Sequence, residues 1–174
     1  HGSVHCQITD PRILQGMKDQ DLLAYIQPVF IDLDMNTVEP AIGAQRMDKV
    51  YAWKSMLDMG IHTSGGSDAP VVSFDAMENI YFAVTRKNIS GQPQEGWIPS
   101  EKISVDAAVK LFTKNAAYAS YTEDENGTIE VGKNADFVVL EKNIYEIDPD
   151  EIKATKVDMT VLDGEIVYER EVEE

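Results

Sequence analysis

Short apolar runs alternate with amphipathic stretches through the first two thirds of the chain. Residues 22–26 form an apolar run that Pro28 stops, and residues 61–65 form a short run that passes from apolar to small residues, so both predict strands. Apolar positions at helical spacing over residues 48–59 and 75–86 predict two helices. This alternation is typical of βα units that share a parallel sheet.

Helix-start signals support the same organisation. Thr9 or Asp10 is expected to cap a helix that has Pro11 in its first turn, and Ser104 is expected to cap another that runs towards residue 118. Residues 30–45 contain Pro40 and Gly43 and predict a long inserted loop. Long loops of this kind often shape a binding pocket.

The pattern changes at the polar segment 123–127. Beyond it come β-rich runs, and Asp-Gly at 163–164 between two of them is a strong hairpin signal. The runs cover residues 137–140, 159–162 and 166–168. We therefore predict two domains, residues 1–122 and residues 123–174, with the acidic end at 169–174 as a frayed tail.

The acidic balance of the chain argues against two classes of partner. Its 174 residues include 15 Lys and Arg and 31 Asp and Glu, which gives a formal net charge of −16. We expect no nucleic-acid partner and no membrane partner, because both present negative charge. No apolar run is long enough for a transmembrane helix, and no signal peptide is visible. The single cysteine, Cys6, suits a reducing compartment and predicts a cytoplasmic protein.

The strongest chemical signal lies at the end of the second predicted strand. Gly65 and Gly66 permit an abrupt change of direction, and Pro70 restricts the backbone just before it. Asp68 is therefore presented at a strand tip, where βα proteins often hold catalytic groups. A carboxylate there suits a metal ligand, a general base or both, although an Asp after Gly-Ser is also a common helix cap.

A histidine near the start of the chain is the candidate partner of Asp68. His5 lies near the end of a short predicted strand around Val4. His5 and Asp68 converge only if their strands share one sheet or barrel. The competing interpretation of His5 is a hydrogen-bonded structural residue.

Five short motifs follow one another along the chain. They are His-Cys-Gln at 5–7, Gln-Pro at 27–28, Gly-Ser-Asp-Ala-Pro at 66–70, Ala-Val-Thr-Arg at 83–86, and the glycine-rich element that ends in Ala-Asp-Phe-Val-Val-Leu at 127–140. In this order they resemble the C-terminal part of a metal-dependent amidohydrolase. The subgroup is that of N-substituted formamide deformylases and exoenzyme regulatory proteins.

The resemblance implies a fold and a partial site. The expected fold is α/β, with the last three βα units of a TIM-like (β/α)8 barrel followed by part of a small β-sandwich domain. The family builds its site from a His-x-His pair, a lysine, two further histidines and an aspartate. Only the last histidine and the aspartate have counterparts here, His5 and Asp68, so the chain resembles a fragment.

The resemblance also implies the chemistry. One or two divalent ions, expected to be zinc, activate water for attack on a carbon-nitrogen bond other than a peptide bond. The expected substrate is a small amide, formamide or cyclic amide. Asp68 is the candidate base and a candidate metal ligand. His5 either binds the metal or donates a hydrogen bond to the substrate carbonyl oxygen, depending on the number of ions.

Three further residues are candidates for substrate binding. Gln27 is expected to line the pocket. Arg86 binds a substrate carboxylate or forms a salt bridge, and Trp97 is a lid aromatic or a loop anchor.

The alternative function is a catalytically inactive structural or interaction module. Three βα units cannot close an eight-stranded barrel, so they leave unpaired strand edges. The missing N-terminal barrel half or a second copy of the chain would complete the barrel. We therefore expect the isolated 174 residues to be inactive.

Overall fold

The computed structural model describes residues 1–171 and shows an α/β chain with two separate three-stranded sheets. The last residues of the predicted β domain, 172–174, lie outside the described residues. The strands are β1 (Gly2–Val4), β2 (Leu23–Ile26), β3 (Thr63–Gly65), β4 (Phe137–Leu140), β5 (Val157–Leu162) and β6 (Glu165–Glu169). The α-helices are α1 (Pro11–Asp19), α2 (Phe30–Asp34), α3 (Val38–Ile42), α4 (Trp53–Asp58), α5 (Ala76–Thr85), α6 (Val105–Leu111) and α7 (Lys114–Ala119). Short 3-10 helices cover Ala44–Lys49, Pro99–Glu101 and Pro149–Ala154.

The first sheet is parallel and has the order β1-β2-β3. Ala24 pairs with Thr63, and both side chains are fully buried together with Ile26, two residues further along β2. Val4 lies on the opposite face and is 57% exposed. Helices of this chain therefore cover one face of the sheet, whereas the other face exposes Val4 at its β1 edge. Because all three strands run the same way, their carboxyl ends meet at one edge.

Three helices begin where the sequence predicts. Asp10 caps α1 by accepting hydrogen bonds from the amides of Arg12 and Ile13, with Pro11 as the first helical residue. Asp75 caps α5 and Ser104 caps α6 in the same manner. Side-chain oxygens at these positions satisfy amides that have no partner inside the helix.

The prediction of a long loop over residues 30–45 is wrong, because this segment contains α2 and α3. Pro40 is tolerated in α3 since it lies in the first turn, where an amide needs no helical partner. The predicted helix over 48–59 is also shorter than expected. Tyr51 has φ 49°, in the left-handed region, and this interrupts the helical path before α4 begins.

The helix that begins after Ser104 divides into α6 and α7. Thr113 stands between them with φ −126° and ψ −99°, which is not a helical conformation. Its hydroxyl donates a hydrogen bond to the carbonyl oxygen of Val109 at 2.9 Å. Such local bonding by threonine competes with the helical pattern and accounts for the break.

The second sheet is antiparallel and has the order β4-β5-β6. Asp163 and Gly164 form the two-residue turn between β5 and β6 with φ 51° and 80°, which confirms the predicted hairpin. The prediction of a frayed tail over residues 169–174 is wrong for Glu169 and Arg170. Glu169 ends β6, and Arg170 forms an ion pair with Asp158 at 2.6 Å.

Part of the second predicted domain packs on the first. Ile144 and Ile152 belong to the main hydrophobic core, and the 3-10 helix Pro149–Ala154 lies against α5. Lys87 binds Asp150 at 2.7 Å across the same contact. The boundary at residue 122 remains a prediction. Within residues 1–171, no helix is both long enough and apolar enough to cross a membrane.

Candidate functional site

The carboxyl edge of the parallel sheet carries three of the predicted site residues. His5 follows β1 directly, Gln27 follows β2 directly, and Asp68 comes three residues after β3. Since β2 lies between the other two strands, the strand axes that lead to His5 and Asp68 are about 10 Å apart. The topology therefore places the three residues along one edge.

His5 and Gln27 are in direct contact. The Nδ1 atom of His5 lies 2.8 Å from Oε1 of Gln27, and the Gln27 amide nitrogen donates to the carbonyl oxygen of Tyr25 at 3.4 Å. That second bond orients the amide, so its oxygen faces the imidazole and accepts from Nδ1–H. In the neutral ring, Nε2 then keeps its lone pair. Phe30 stacks on the imidazole with ring centroids 5.7 Å apart and restricts its rotation.

Asp68 is exposed at the tip of the turn after β3. Its φ is 62°, and its carbonyl oxygen accepts from the amide of Val71 at 2.9 Å. Within residues 1–171, no hydrogen bond engages the Asp68 carboxylate. Both carboxylate oxygens are therefore free to accept a proton or to bind a cation.

The donors at this edge do not complete a metal site. Among the described residues, no group of three or more His, Cys, Asp or Glu side chains is placed to hold an ion. A cavity of about 460 Å³ lies beside β1 and includes His5 and Gln7 in its wall.

Cys6 is buried in the core, and burial raises the pKa of its thiol above the ordinary value.

A polar cluster next to His5 was not anticipated from the sequence. Tyr51 donates its hydroxyl hydrogen to the Asp34 carboxylate at 2.5 Å, and the Gln7 amide nitrogen donates to the same carboxylate at 2.9 Å. Gln7 also donates to the Tyr51 hydroxyl oxygen at 2.8 Å. The presence of Gln7 in the His-Cys-Gln motif was the one sequence signal for this cluster.

Tyr51 holds the same loop through its backbone. Its amide donates to the carbonyl oxygen of Gln7 at 2.8 Å. Burial, followed by the hydrogen bond to Asp34, raises the pKa of the Tyr51 hydroxyl well above its ordinary value. The hydroxyl therefore remains a proton donor to Asp34 throughout the neutral range.

Arg86 is enclosed by the chain rather than facing the edge. No part of its side chain is exposed; Nε donates to the carbonyl oxygen of Trp97 at 2.7 Å, and Nη1 donates to that of Tyr51 at 2.9 Å. Its guanidinium carbon lies 4.6 Å from the ring centroid of Trp53 and 5.7 Å from that of Trp97. None of the ion pairs found within residues 1–171 includes Arg86. This placement favours neither a substrate carboxylate nor a salt bridge as its partner.

Trp97 is partly exposed and joins Arg86 to a second cavity. One part of its indole packs edge-on against Tyr51, with ring centroids 5.7 Å apart. Another part lines a cavity of about 310 Å³ together with Met35, Asn88 and neighbouring residues. The anchoring contacts and the exposed surface leave both predicted roles, anchor and lid, compatible with its position.

Comparison with known proteins places these observations in a family. The amidohydrolase family pattern matches residues 1–168. YtcJ of Bacillus subtilis, which is named an amidohydrolase, is 34% identical over 167 residues, covering 96% of this chain and 32% of YtcJ. An N-substituted formamide deformylase of Arthrobacter pascens is 35% identical over 122 residues, covering 70% of this chain and 22% of the relative. The chain thus spans a third or less of these two relatives.

A solved structure shares the fold. An uncharacterized metal-dependent hydrolase from Pyrococcus horikoshii superposes with a TM-score of 0.75 at 20% identity. The superposition covers 84% of this chain and 29% of that hydrolase. Together with the family match over almost the whole chain, this similarity has a plain consequence: the chain belongs to the amidohydrolase family, as a C-terminal portion of such a protein.

Proposed function

We propose that this chain is part of a metal-dependent hydrolase that cleaves carbon-nitrogen bonds other than peptide bonds in small amides, formamides or cyclic amides. The observation that carries the proposal is the hydrogen bond from His5 Nδ1 to Gln27. Histidines that bind metals usually donate their other ring N–H to an acceptor of this kind. Relatives that are named amidohydrolase and formamide deformylase support the reaction class.

The architecture that suits this function is an eight-stranded barrel with a small β domain. Strands β1 to β3 would be the last three barrel strands, and β4 to β6 would be part of a β-sandwich. The parallel order and the open face that includes Val4 support this assignment. The rest of the barrel would come from the N-terminal half of the protein or from a second copy. The single cysteine supports a cytoplasmic location.

The donor set fits a divalent ion of the zinc type. Imidazole nitrogen and carboxylate oxygen are ordinary zinc ligands, and His5 Nε2 and the Asp68 carboxylate have no hydrogen-bond partner within residues 1–171. When bound, such an ion lowers the pKa of a coordinated water and polarises the substrate carbonyl. The remaining ligands would lie on strands outside this chain.

Four residues of this chain would have separate roles in the reaction. Asp68, free and exposed, would take a proton from the attacking water and deliver it to the leaving nitrogen, and it would also contact the ion. His5 would bind the ion through Nε2 or, with a different number of ions, hydrogen-bond the substrate carbonyl oxygen. Gln27, although it was expected to line the pocket, would act mainly by fixing the orientation of His5. Trp97 would close one side of the pocket.

A second candidate function is an inactive module that completes a barrel with another polypeptide. It is favoured by the donor count, because within residues 1–171 only His5 and Asp68 stand at the sheet edge with unused metal-binding atoms. It is the function we propose for the isolated 174 residues. The two candidates differ in what the full-length protein does.

The test uses the full-length protein that carries this chain. Purified protein is analysed for bound zinc and assayed with para-nitroformanilide, whose hydrolysis releases a coloured aniline. We expect about one or two zinc ions per chain and turnover that falls by at least about 100-fold in Asp68→Asn. The control is Asp124→Asn, an exposed aspartate in the 123–127 turn. A full-length protein without zinc and without turnover on a panel of formamides and cyclic amides would contradict the proposal.

A further inference from the structure

Arg86 is a buried cation whose direct contacts are carbonyl oxygens and indole rings, and the buried carboxylate of Glu101 attracts it without forming an ion pair. Burial lowers the pKa of the guanidinium to about 10, and the ion therefore stays charged at neutral pH. A buried charge without a paired acid is costly. Its Nη2 atom has no hydrogen-bond partner within residues 1–171, and the guanidinium carbon lies over the rings of Trp53 and Trp97. Guanidinium stacking on indole offsets part of this cost.

The two carbonyls that Arg86 binds belong to Trp97 and Tyr51. Trp97 is held from both sides, because its amide donates to the Arg86 carbonyl oxygen at 2.6 Å while its own carbonyl accepts from Nε. Tyr51 is held in the left-handed conformation, with its carbonyl directed to Nη1. One side chain thus fixes two aromatic residues 46 positions apart.

Tyr51 carries this restraint to the loop after β1. Its hydroxyl and its amide both bind to the Gln7 cluster, one through the side chain and one through the backbone. Gln7 is two residues from His5, and the intervening backbone at His5 and Cys6 has φ of 69° and 49°. Residues in this region of backbone space need support from their surroundings to persist.

From this chain of contacts we infer that Arg86 is a positioning residue: it holds Tyr51, and through Tyr51 and Gln7 it holds His5 in the orientation that Gln27 selects. Arg86 touches neither substrate nor metal in this account. The effect of Arg86 on catalysis rests on the proposed function, whereas its effect on the order of residues 5–9 does not. The two are therefore tested separately.

The first test is hydrogen exchange in the full-length protein, followed in the peptide that covers residues 4–9. Arg86→Lys keeps a charge but cannot bridge two carbonyls between two indoles, and Tyr51→Phe keeps the ring and the carbonyl but removes the hydroxyl. We expect both variants to exchange about tenfold faster than wild type in this peptide, since local opening becomes easier. Arg12→Lys and Tyr121→Phe, at exposed positions, are the matched controls and should exchange as wild type.

The second test is zinc affinity by competition with a chromophoric chelator. Loss of an outer support of a metal ligand typically weakens binding by 10- to 100-fold, and we expect about tenfold in both variants. Faster exchange confined to residues 83–98 in Arg86→Lys, with the 4–9 peptide unchanged in Tyr51→Phe, would overturn the inference. If Arg86→Lys fails to fold, Arg86→Gln, which is too short to bind both carbonyls, takes its place, while Tyr51→Phe tests the step from Tyr51 to Gln7. A wild-type protein that binds no zinc would contradict the proposed function, while the exchange result would still decide the role of Arg86.

Discussion

The two sheets of this chain differ in how far its own residues cover them. In the parallel sheet, Ala24, Ile26 and Thr63 are fully buried beneath helices of the same chain. In the antiparallel sheet, Val138 and Ile166 are 55% and 57% exposed. Both sheets have three strands, so strand number does not explain the difference.

This difference indicates which part of the chain contributes most to its stability. Apolar side chains contribute to folding when they leave water, at about 25 cal/mol per Å². Most of that burial lies between the parallel sheet and the helices, whereas the antiparallel sheet exposes apolar surface of the kind that marks an interface. Substitutions in the first region should therefore cost far more than substitutions on the exposed strands.

The largest expected effect is at Trp53, which is fully buried. Trp53→Ala should lower the free energy of unfolding of the chain by about 3–5 kcal/mol, because it removes buried apolar surface and leaves a cavity. Tyr168→Ala on β6, where the side chain is 49% exposed, should cost less than about 1 kcal/mol. Urea unfolding followed by circular dichroism measures both; equal costs would break the comparison.

Two adjacent glycines, one in β3 and one just after it, test the packing of the helices against the parallel sheet. A Cβ on Gly65 would lie 2.8 Å from the Phe112 ring and 3.0 Å from Leu111, whereas a Cβ on Gly66 would meet nothing within 4 Å. Gly65→Ala should therefore cost about 1–3 kcal/mol by crowding the helices against β3. Gly66→Ala is the control and should change the free energy of unfolding by less than about 0.5 kcal/mol.

A substitution in the hairpin tests the antiparallel sheet through its backbone alone. Gly164 has φ 80°, so Gly164→Ala should cost about 1–2 kcal/mol despite the open space around it. The same unfolding experiment measures it, with Gly16→Ala in α1 as the control, which should be neutral or slightly stabilising. An unaffected Gly164→Ala would mean that the sheet does not contribute to the cooperative unit.

The smallest expected effect concerns the ion pair between Lys87 and Asp150, which joins the end of α5 to the 3-10 helix Pro149–Ala154. The hydrogen bond to Asp150 raises the pKa of Lys87, so the charged form is favoured in the folded state. The stabilisation is therefore complete below the ordinary lysine pKa of 10.5 and is lost as the pH rises through the higher folded value. Lys87→Met should cost about 0.2–1 kcal/mol at pH 7 and less at alkaline pH.

Its control is Lys110→Met, which removes an ion pair within α6 and leaves the contact between regions intact. Unfolding curves at pH 7 and at pH above 10.5 separate the two cases. A cost at Lys87 that grows with pH would contradict the assigned direction.

The sequence predicted the strands that end near His5, Gln27 and Asp68, but it left open whether those strands share one sheet. Short strands that alternate with amphipathic helices predict a parallel sheet, and parallel strands share a carboxyl edge. The caps at Asp10, Asp75 and Ser104 depend on local hydrogen bonds, so they too can be predicted locally.

The surroundings of Arg86 and Tyr51 could not be predicted in this way. Their contact joins positions 35 apart, and the Gln7–Tyr51 contact joins positions 44 apart. Asp34, which accepts hydrogen bonds from both Tyr51 and Gln7, lies in the segment 30–45, which was predicted to be a loop. Tertiary packing, which no local pattern encodes, brings these groups together.

The most direct test of the central claim is an anomalous diffraction map at the zinc edge from crystals of the full-length protein. We predict a zinc peak about 2.0–2.1 Å from Nε2 of His5, with Nδ1 still bound to Gln27. A zinc peak at Nδ1 of His5, or zinc bound with no contact to His5, would contradict it.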